Sequence, residues 1–161
     1  MEGSGTDADP YIVMTADDLN EIRNNLSACY KLGANIDLTG IDWEPIAQTS
    51  QTYFNGLLDG DGYTISNLTI NKPNDNYVGL FGYAYWGRFK NIIIENANVT
   101  GNNCVGILAG YHQHGELNSC FITGTVTGNI TVGGLVGQRW GDINKSGSEV
   151  TVTGSDYVGG L

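Results

Sequence analysis

Val78-Gly79-Leu80-Phe81-Gly82, Val105-Gly106-Ile107-Leu108-Ala109-Gly110, Val132-Gly133-Gly134-Leu135-Val136-Gly137 and Val158-Gly159-Gly160-Leu161 are variants of one phrase. Their valines follow one another at 27, 27 and 26 residues. A fixed period of about 20–50 residues marks a stacked repeat, in which each unit buries its apolar face against the next. Other signals recur in step with the phrase. Gly87, Gly115 and Gly141 each precede, by two residues, an apolar side chain: Phe89, Leu117 and Ile143. Gly101, Gly128 and Gly154 follow Asn98-Val99-Thr100, Thr125-Val126-Thr127 and Thr151-Val152-Thr153.

Each repeat therefore reads as three short β-like runs separated by glycine corners. A helical repeat would need a longer stripe of period about 3.6 and fewer glycines. The pattern predicts an all-β chain, a parallel right-handed β-helix or β-solenoid of about 27 residues per coil, each coil adding about 4.8 Å of height. Val78, Val105, Val132 and Val158 are expected to form one inward ladder. Ile70, Val99, Val126 and Val152 form a second, and Phe89, Leu117 and Ile143 part of a third. Glycine is expected at corners that need positive φ or close backbone approach.

Upstream the pattern differs. Tyr11-Ile12-Val13-Met14 suits a strand, and Thr15 with Asp18 forms a capping box before Leu19, Ile22 and Leu26. That stripe predicts an amphipathic helix over 16–27 that caps the first coil. Asp59-Gly60-Asp61-Gly62 reads as a turn and lacks the further acidic positions of a calcium loop. The chain divides into residues 1–9, a frayed segment or added leader; residues 10–76, the N-terminal cap with the first coils; and residues 77–161, the repeats, cut short inside the fourth phrase. An uncapped last coil would favour self-association through its open C-terminal edge.

Seven Lys and Arg stand against 17 Asp and Glu, a net charge of −10. Such a balance repels nucleic-acid backbones and anionic membranes. No run of 18 apolar residues offers a membrane span. Cys29, Cys104 and Cys120 fit no zinc spacing and read as buried thiols, a Cys104–Cys120 disulfide being the alternative.

The phrase resembles the GLUG motif of bacterial secreted and surface proteins. The stretch from Tyr11 to Asn71, with Asp18-Leu19-Asn20, Tyr30-Lys31-Leu32, Ile36-Asp37-Leu38, Trp43-Glu44-Pro45-Ile46 and Leu58-Asp59-Gly60-Asp61-Gly62-Tyr63-Thr64-Ile65, resembles the segment preceding such repeats. The resemblance implies a β-solenoid, an extracellular or cell-surface location and a structural, adhesin-like role. The motif occurs in adhesin-like proteins, filamentous haemagglutinin-like proteins and non-catalytic parts of immunoglobulin A-specific metallopeptidases. It brings no catalytic residue and no cofactor.

Any activity must come from exposed residues on this scaffold. Tyr83, Tyr85 and Trp86, then Tyr111, His112 and His114, then Arg139 and Trp140 fall at equivalent corners. Stacked, they form a side strip of aromatic and hydrogen-bonding groups suited to a glycan or a host-surface protein; the bland alternative is that they shield a corner. His112 and His114 form a His-x-His pair without a third ligand, so no metal site is assigned. Two other classes remain open. A polysaccharide-active β-helix enzyme would need converging carboxylates, for which Glu95, Glu116 and Asp142 are the candidates. An ice-binding solenoid would use the outward columns of Thr69, Asn98, Thr125 and Thr151 and of Asn71, Thr100, Thr127 and Thr153.

Overall fold

The computed structural model describes all residues from Met1 to Leu161. Strand β1 (Tyr11–Val13) opens the stack, followed by helix α1 (Ala16–Glu21) and one 3-10 turn at Ile22–Asn24. The first coil holds β2 (Cys29–Leu32) and β3 (Ile36–Asp37). The second holds β4 (Leu57–Asp59), β5 (Thr64–Ser66), β6 (Thr69–Asn71) and β7 (Phe81–Tyr85). The third holds β8 (Arg88–Lys90), β9 (Ile93–Thr100), β10 (Asn103–Val105) and β11 (Ala109–Gln113). The fourth repeats this with β12 (Leu117–Asn118), β13 (Phe121–Thr127), β14 (Ile130–Gly133) and β15 (Val136–Trp140). The fifth has β16 (Gly147–Thr153) and β17 (Asp156–Gly159).

Strands at the same place in successive coils pair in parallel. They build four sheets: β1-β2-β4-β8-β12, β16-β13-β9-β5-β3 with β6 also on β9, β10-β14-β17, and β15-β11-β7. The chain is an all-β parallel solenoid, as its periodicity requires. Full coils have four strands rather than the three expected. The extra break lies inside the phrase: β10 ends at Val105, Gly106 turns the chain, and β11 begins at Ala109 on another sheet.

The predicted ladders stand in register. Val78 pairs with Val105, Val105 with Val132, and Val132 with Val158. Ile70, Val99, Val126 and Val152 are stacked likewise, and Leu117 lies on Phe89. Val99, Val105 and Val126 are fully buried, whereas Val158 in the fifth coil is 45% exposed. One continuous core of 36 buried residues results, running from Val13 to Val136. Trp43, in the irregular part of the first coil, joins it and donates its indole N–H to the Leu80 carbonyl at 3.1 Å.

Two N-terminal expectations change. Thr15 caps α1 by accepting the Asp18 N–H at 3.1 Å, and Leu19 and Ile22 are fully buried, but regular helix ends at Glu21 and not at residue 27. Asn25 leaves helical geometry, with φ −146° and ψ 82°, and the carbonyls that follow are held by tertiary partners. Asn25 accepts the Tyr30 hydroxyl at 2.8 Å, and Leu26 accepts the backbone N–H groups of both Asn55 and Gly56 at 3.0 Å. A short helix yields to such competition because its intrinsic stability is small. Residues 1–9, expected to fray, are tied down. Glu2 accepts from Ile12 and Gly5 accepts from Cys29, both at 2.8 Å, and Asp7 lies 3.3 Å from Arg88.

The glycines also divide differently. Positive φ falls mainly on other residues: the position before each ladder valine is left-handed at Tyr77, Cys104, Thr131 and Tyr157, with φ between 51° and 59°. The repeat glycines serve close approach instead. A methyl group on Gly101 would sit 2.8 Å from Val78 and Val105 side chains, and one on the phrase glycine Gly110 would meet the Val78 nitrogen at 2.5 Å and the Cys104 oxygen at 2.6 Å. Gly141 is not the counterpart of Gly87 and Gly115. Trp140 pairs with Gln113, so Gly141 continues the column of Trp86 and His114, and the fourth coil's corner is one residue shorter.

Gly110→Ala is expected to cost about 3 kcal/mol, because the obstructing atoms are backbone and cannot rotate aside. Gly147→Ala, whose methyl would meet only the Phe121 ring at 3.6 Å, should lie within about 0.5 kcal/mol of the parent. Val126→Ala should cost about 2–3 kcal/mol. Urea midpoints of the three variants check this order.

Candidate functional site

The side strip lies on the sheet β15-β11-β7. Its register is set by the pairs Tyr83–Tyr111, Ala84–His112 and Tyr85–Gln113, continued by Tyr111–Gln138, His112–Arg139 and Gln113–Trp140. Alternation along a strand sends the first and third of these columns outward and the middle one inward. The strip therefore comprises Tyr83, Tyr111 and Gln138 in one column and Tyr85, Gln113 and Trp140 in the other. Trp86 and His114 stand at the adjoining corner.

The rings of the strip stack. Tyr83 lies parallel to Tyr111 at 4.5 Å, and Tyr77 meets both edge-on at 5.3 and 6.0 Å. Burial, with the Tyr111 hydroxyl second, pushes the Tyr83 phenol up, and burial does the same at Tyr77. Trp86 stacks on His114 at 4.6 Å, and Tyr85 meets the His114 ring edge-on at 5.6 Å. Tyr53 extends the strip toward the first coil, 5.5 Å from Tyr85. The sequence reading missed Tyr53, which lies outside the strict repeat and is brought beside the sheet by the Phe54–Ala84 bridge, and Tyr77, whose position before the ladder valine carries a ring here and a cysteine or threonine in the next two coils. Trp86 and Trp140 are the most open members, 58% and 57% exposed.

Two expected members are not on the surface. His112 is fully buried, and Arg139 is half-buried behind it. They occupy the inward column, where Ala84 leaves room in the second coil for Phe54, Phe81 and Phe89 to pack together at 4.6–5.5 Å. His112 fills the next level and meets Phe89 edge-on at 5.2 Å. His112 and His114 do not point the same way, because His114 has φ of 59° and breaks the alternation. The His-x-His pair is thus divided between interior and surface.

The interior pair is specified by its hydrogen bonds. Arginine has no acceptor, so His112 Nδ1 accepts from Arg139 Nη1 at 2.8 Å and Nε2 donates to the Gly87 carbonyl at 2.8 Å. Arg139 also donates to the carbonyls of His114 at 2.7 Å, Gly115 at 3.2 Å and Asp142 at 2.7 Å. It ties the corner of the third coil to that of the fourth. Burial, then the adjacent guanidinium, pushes the His112 imidazole down to about 3. His112 is sealed from solvent, whereas Arg139 is half-buried with its Nη groups committed to the corners.

The other candidates are placed as follows. Glu95 lies on β9, beside Ser66 of β5, whereas Glu116 precedes β12 on a different sheet and Asp142 sits at the corner after β15. Glu95 stands apart on its own sheet, whereas Glu116 and Asp142 fall at the same corner in successive coils. The threonine and asparagine columns stand in register, Thr69–Asn98–Thr125–Thr151 and Asn71–Thr100–Thr127–Thr153. Within them Thr125 donates to the Asn98 side-chain oxygen at 3.2 Å. All three cysteines are free, with Cys104 in β10 and Cys120 at the turn before β13. Burial pushes both thiols up, Cys120 to about 11, which suits inert packing. An open cleft of about 430 Å³ lies at the N-terminal end, between Met1, Glu2, Ile12, Met14 and Asp18, away from the strip.

The neutral His112 makes stability depend on pH with a definite sign. Its folded pKa lies below that of an unfolded histidine, so the contribution is complete above about pH 6.5 and is lost as pH falls toward 3. The loss should approach about 3 kcal/mol by pH 4. His112→Gln, which offers Arg139 an acceptor and Gly87 a donor without titrating, should remove that part of the slope. Urea unfolding of both proteins between pH 7 and pH 4 checks it.

Comparison with known proteins places this geometry in context. No family model matches the chain. It is 43% identical over 150 residues to halomucin of Haloquadratum walsbyi, which covers 84% of this chain and 2% of halomucin. It is 37% identical over 108 residues to a protein of Evansella cellulosilytica provisionally named a Gly-rich membrane protein, covering 62% of this chain and 12% of that one. The chain thus spans a small fraction of the length of the relatives it matches. Among solved structures it superposes with a TM-score of 0.73 on a Bacteroides ovatus chain provisionally named an immunoglobulin A1 protease, at 25% identity over 92% of this chain and 49% of that one. The shared fold is the parallel β-solenoid.

Proposed function

We propose that the chain is a non-catalytic structural and display module of a large surface or secreted protein, built on GLUG-type repeats, and that it makes contact through the outer face of the sheet β15-β11-β7. The names of its relatives, a mucin-like and a membrane protein, support a surface location. No helix is long and apolar enough to cross a membrane. The small share of each relative that it matches fits one module among many. The observation that carries the contact reading is the run of stacked rings on that face, with Trp86 and Trp140 both more than half exposed. Exposed aromatics of this kind are costly to solubility and mark contact surfaces.

Beads coated with the protein, flowed over mucin-coated glass and over glass coated with Evansella cellulosilytica cell envelopes, should be retained on at least one. A Tyr85→Ala/Trp86→Gly/Trp140→Ala variant, folded by circular dichroism, should lose retention. Absence of retention on both surfaces, or retention that the triple variant leaves intact, would remove the strip as a contact face.

A further inference from the structure

Trp86 is held at φ of 63°, a left-handed conformation that a bulky side chain adopts only at a cost, while more than half of its surface is exposed. The fold asks for neither. The equivalent position is His114 in the third coil and Gly141 in the fourth, and glycine accepts such a φ freely. Inside the chain the ring meets only His114, stacked, and Tyr85, edge-on at 6.4 Å, and the rest of its surface is open. Trp140 presents the same problem: it is 57% exposed and stacks on no other ring.

The two indoles stand two levels apart on one scaffold. Trp86 is followed by His114, stacked on it at 4.6 Å, and the column then ends at Gly141, which carries no side chain and is itself exposed. Trp140 adjoins that glycine. From the level of Trp86 to that of Trp140 is two coil rises, about 9.6 Å, comparable to two linked pyranose rings. Between them lie the amides of Gln113 and Gln138 at the outward positions of β11 and β15. Gln113 accepts from the Tyr111 hydroxyl at 3.0 Å and its Nε2 meets His114 Nε2 at 3.3 Å, and Gln138 Oε1 accepts from Cys104 Sγ at 3.5 Å, so each amide keeps at least one N–H to offer. Amides pair with hydroxyl groups as both donor and acceptor.

Charge decides the class of ligand. The chain carries −10 overall, yet the outward positions of β7, β11 and β15 are Tyr83, Tyr85, Tyr111, Gln113, Gln138 and Trp140, without one ionised group. The single cation of these strands, Arg139, turns its Nη groups inward to His112 and to the corner carbonyls, and its Nε is buried without a partner. Nothing on the face would bind a sulfate or a carboxylate, and the acidic surroundings repel both.

Resting on the contact reading above, we infer that this face binds a neutral polysaccharide laid along the solenoid axis, with sugar rings stacked at Trp86 and at Trp140 and their hydroxyls held by Gln113 and Gln138. The stacking of pyranose rings on indole makes each tryptophan worth about tenfold in affinity, and the absence of ion pairs makes binding insensitive to salt.

Affinity gel electrophoresis tests this with mixed-linkage β-glucan, mannan and amylose as neutral probes and with heparin and alginate as anionic ones. The protein should be retarded by at least one neutral polymer, equally at 50 mM and 500 mM salt, and by neither anionic one. Trp86→Gly and Trp140→Ala should each weaken retardation about tenfold. Trp86→Gly should meanwhile leave the urea midpoint unchanged or raise it, a result that corner shielding by the indole would reverse. Retardation by anionic polymers alone, salt-sensitive retardation, or neutral binding untouched by both substitutions would overturn the inference. Strip-dependent bead retention without retardation by any neutral polymer would also overturn it while leaving the contact reading intact.

Discussion

Backbone meets backbone at the phrase glycines, and the rest of the coil is arranged around that approach. Gly110 lies against Val78 and Cys104, and Gly137 lies against Val105 and Cys104, with no space for a Cβ on either. This contact brings the sheet β10-β14-β17 against the sheet β15-β11-β7 and turns a flat stack into a closed coil. The first glycine of each phrase has the same role one step earlier, Gly79 against the Gly106 carbonyl and Gly106 against the Gly137 nitrogen. Packing at this density leaves little freedom, so the residue before each valine takes a left-handed turn even when it is tyrosine or threonine. The strain is carried by the contacts around it.

Closure of the coil has a direct effect on the outer surface. Because every coil repeats the same path, a side chain that points outward in one coil is carried over its counterpart in the next at the spacing of paired strands. That spacing is close to the thickness of two rings in contact. Tyr83 on Tyr111 and Trp86 on His114 are the result. The same stacking, applied to the inward column, puts Ala84, His112 and Arg139 in succession and so converts an apolar corner into a polar one within two levels.

Most of the fold was legible before any coordinates. The valine period predicted the solenoid, and the ladders of Val99, Val126 and Val132 lie where alternation puts them. The cap was less legible. Thr15, Asp18 and Leu19 announce a helix truthfully, but its end depends on Tyr30 and Gly56, which reach Asn25 and Leu26 only in the folded chain. The site was half legible. Tyr83, Tyr85, Trp86, Tyr111, His114 and Trp140 are on the outer face, whereas His112 and Arg139 are within. Strict alternation from Tyr83 and Tyr85 places His112 and Arg139 inward, whereas treating the whole corner as exposed does not separate the two faces. What sequence could not supply was the hydrogen-bonded setting that makes a buried imidazole and a buried guanidinium tolerable: a ring acceptor and three corner carbonyls. Tyr53 was illegible for another reason, since it lies in the irregular first coil where no repeat fixes its level.

Repeats that resemble one another run the risk of stacking in the wrong succession, one coil skipped and the next laid in its place. The polar interior column opposes such an error. Arg139 laid directly over Ala84 would find a methyl group where it needs an imidazole nitrogen, and His112 without the guanidinium beneath it would keep an idle lone pair in the dark of the core. A buried polar mismatch costs far more than an exchanged valine. The histidine–arginine pair is thus matched only when its two levels are neighbours, which sets these turns apart from others of the same outline.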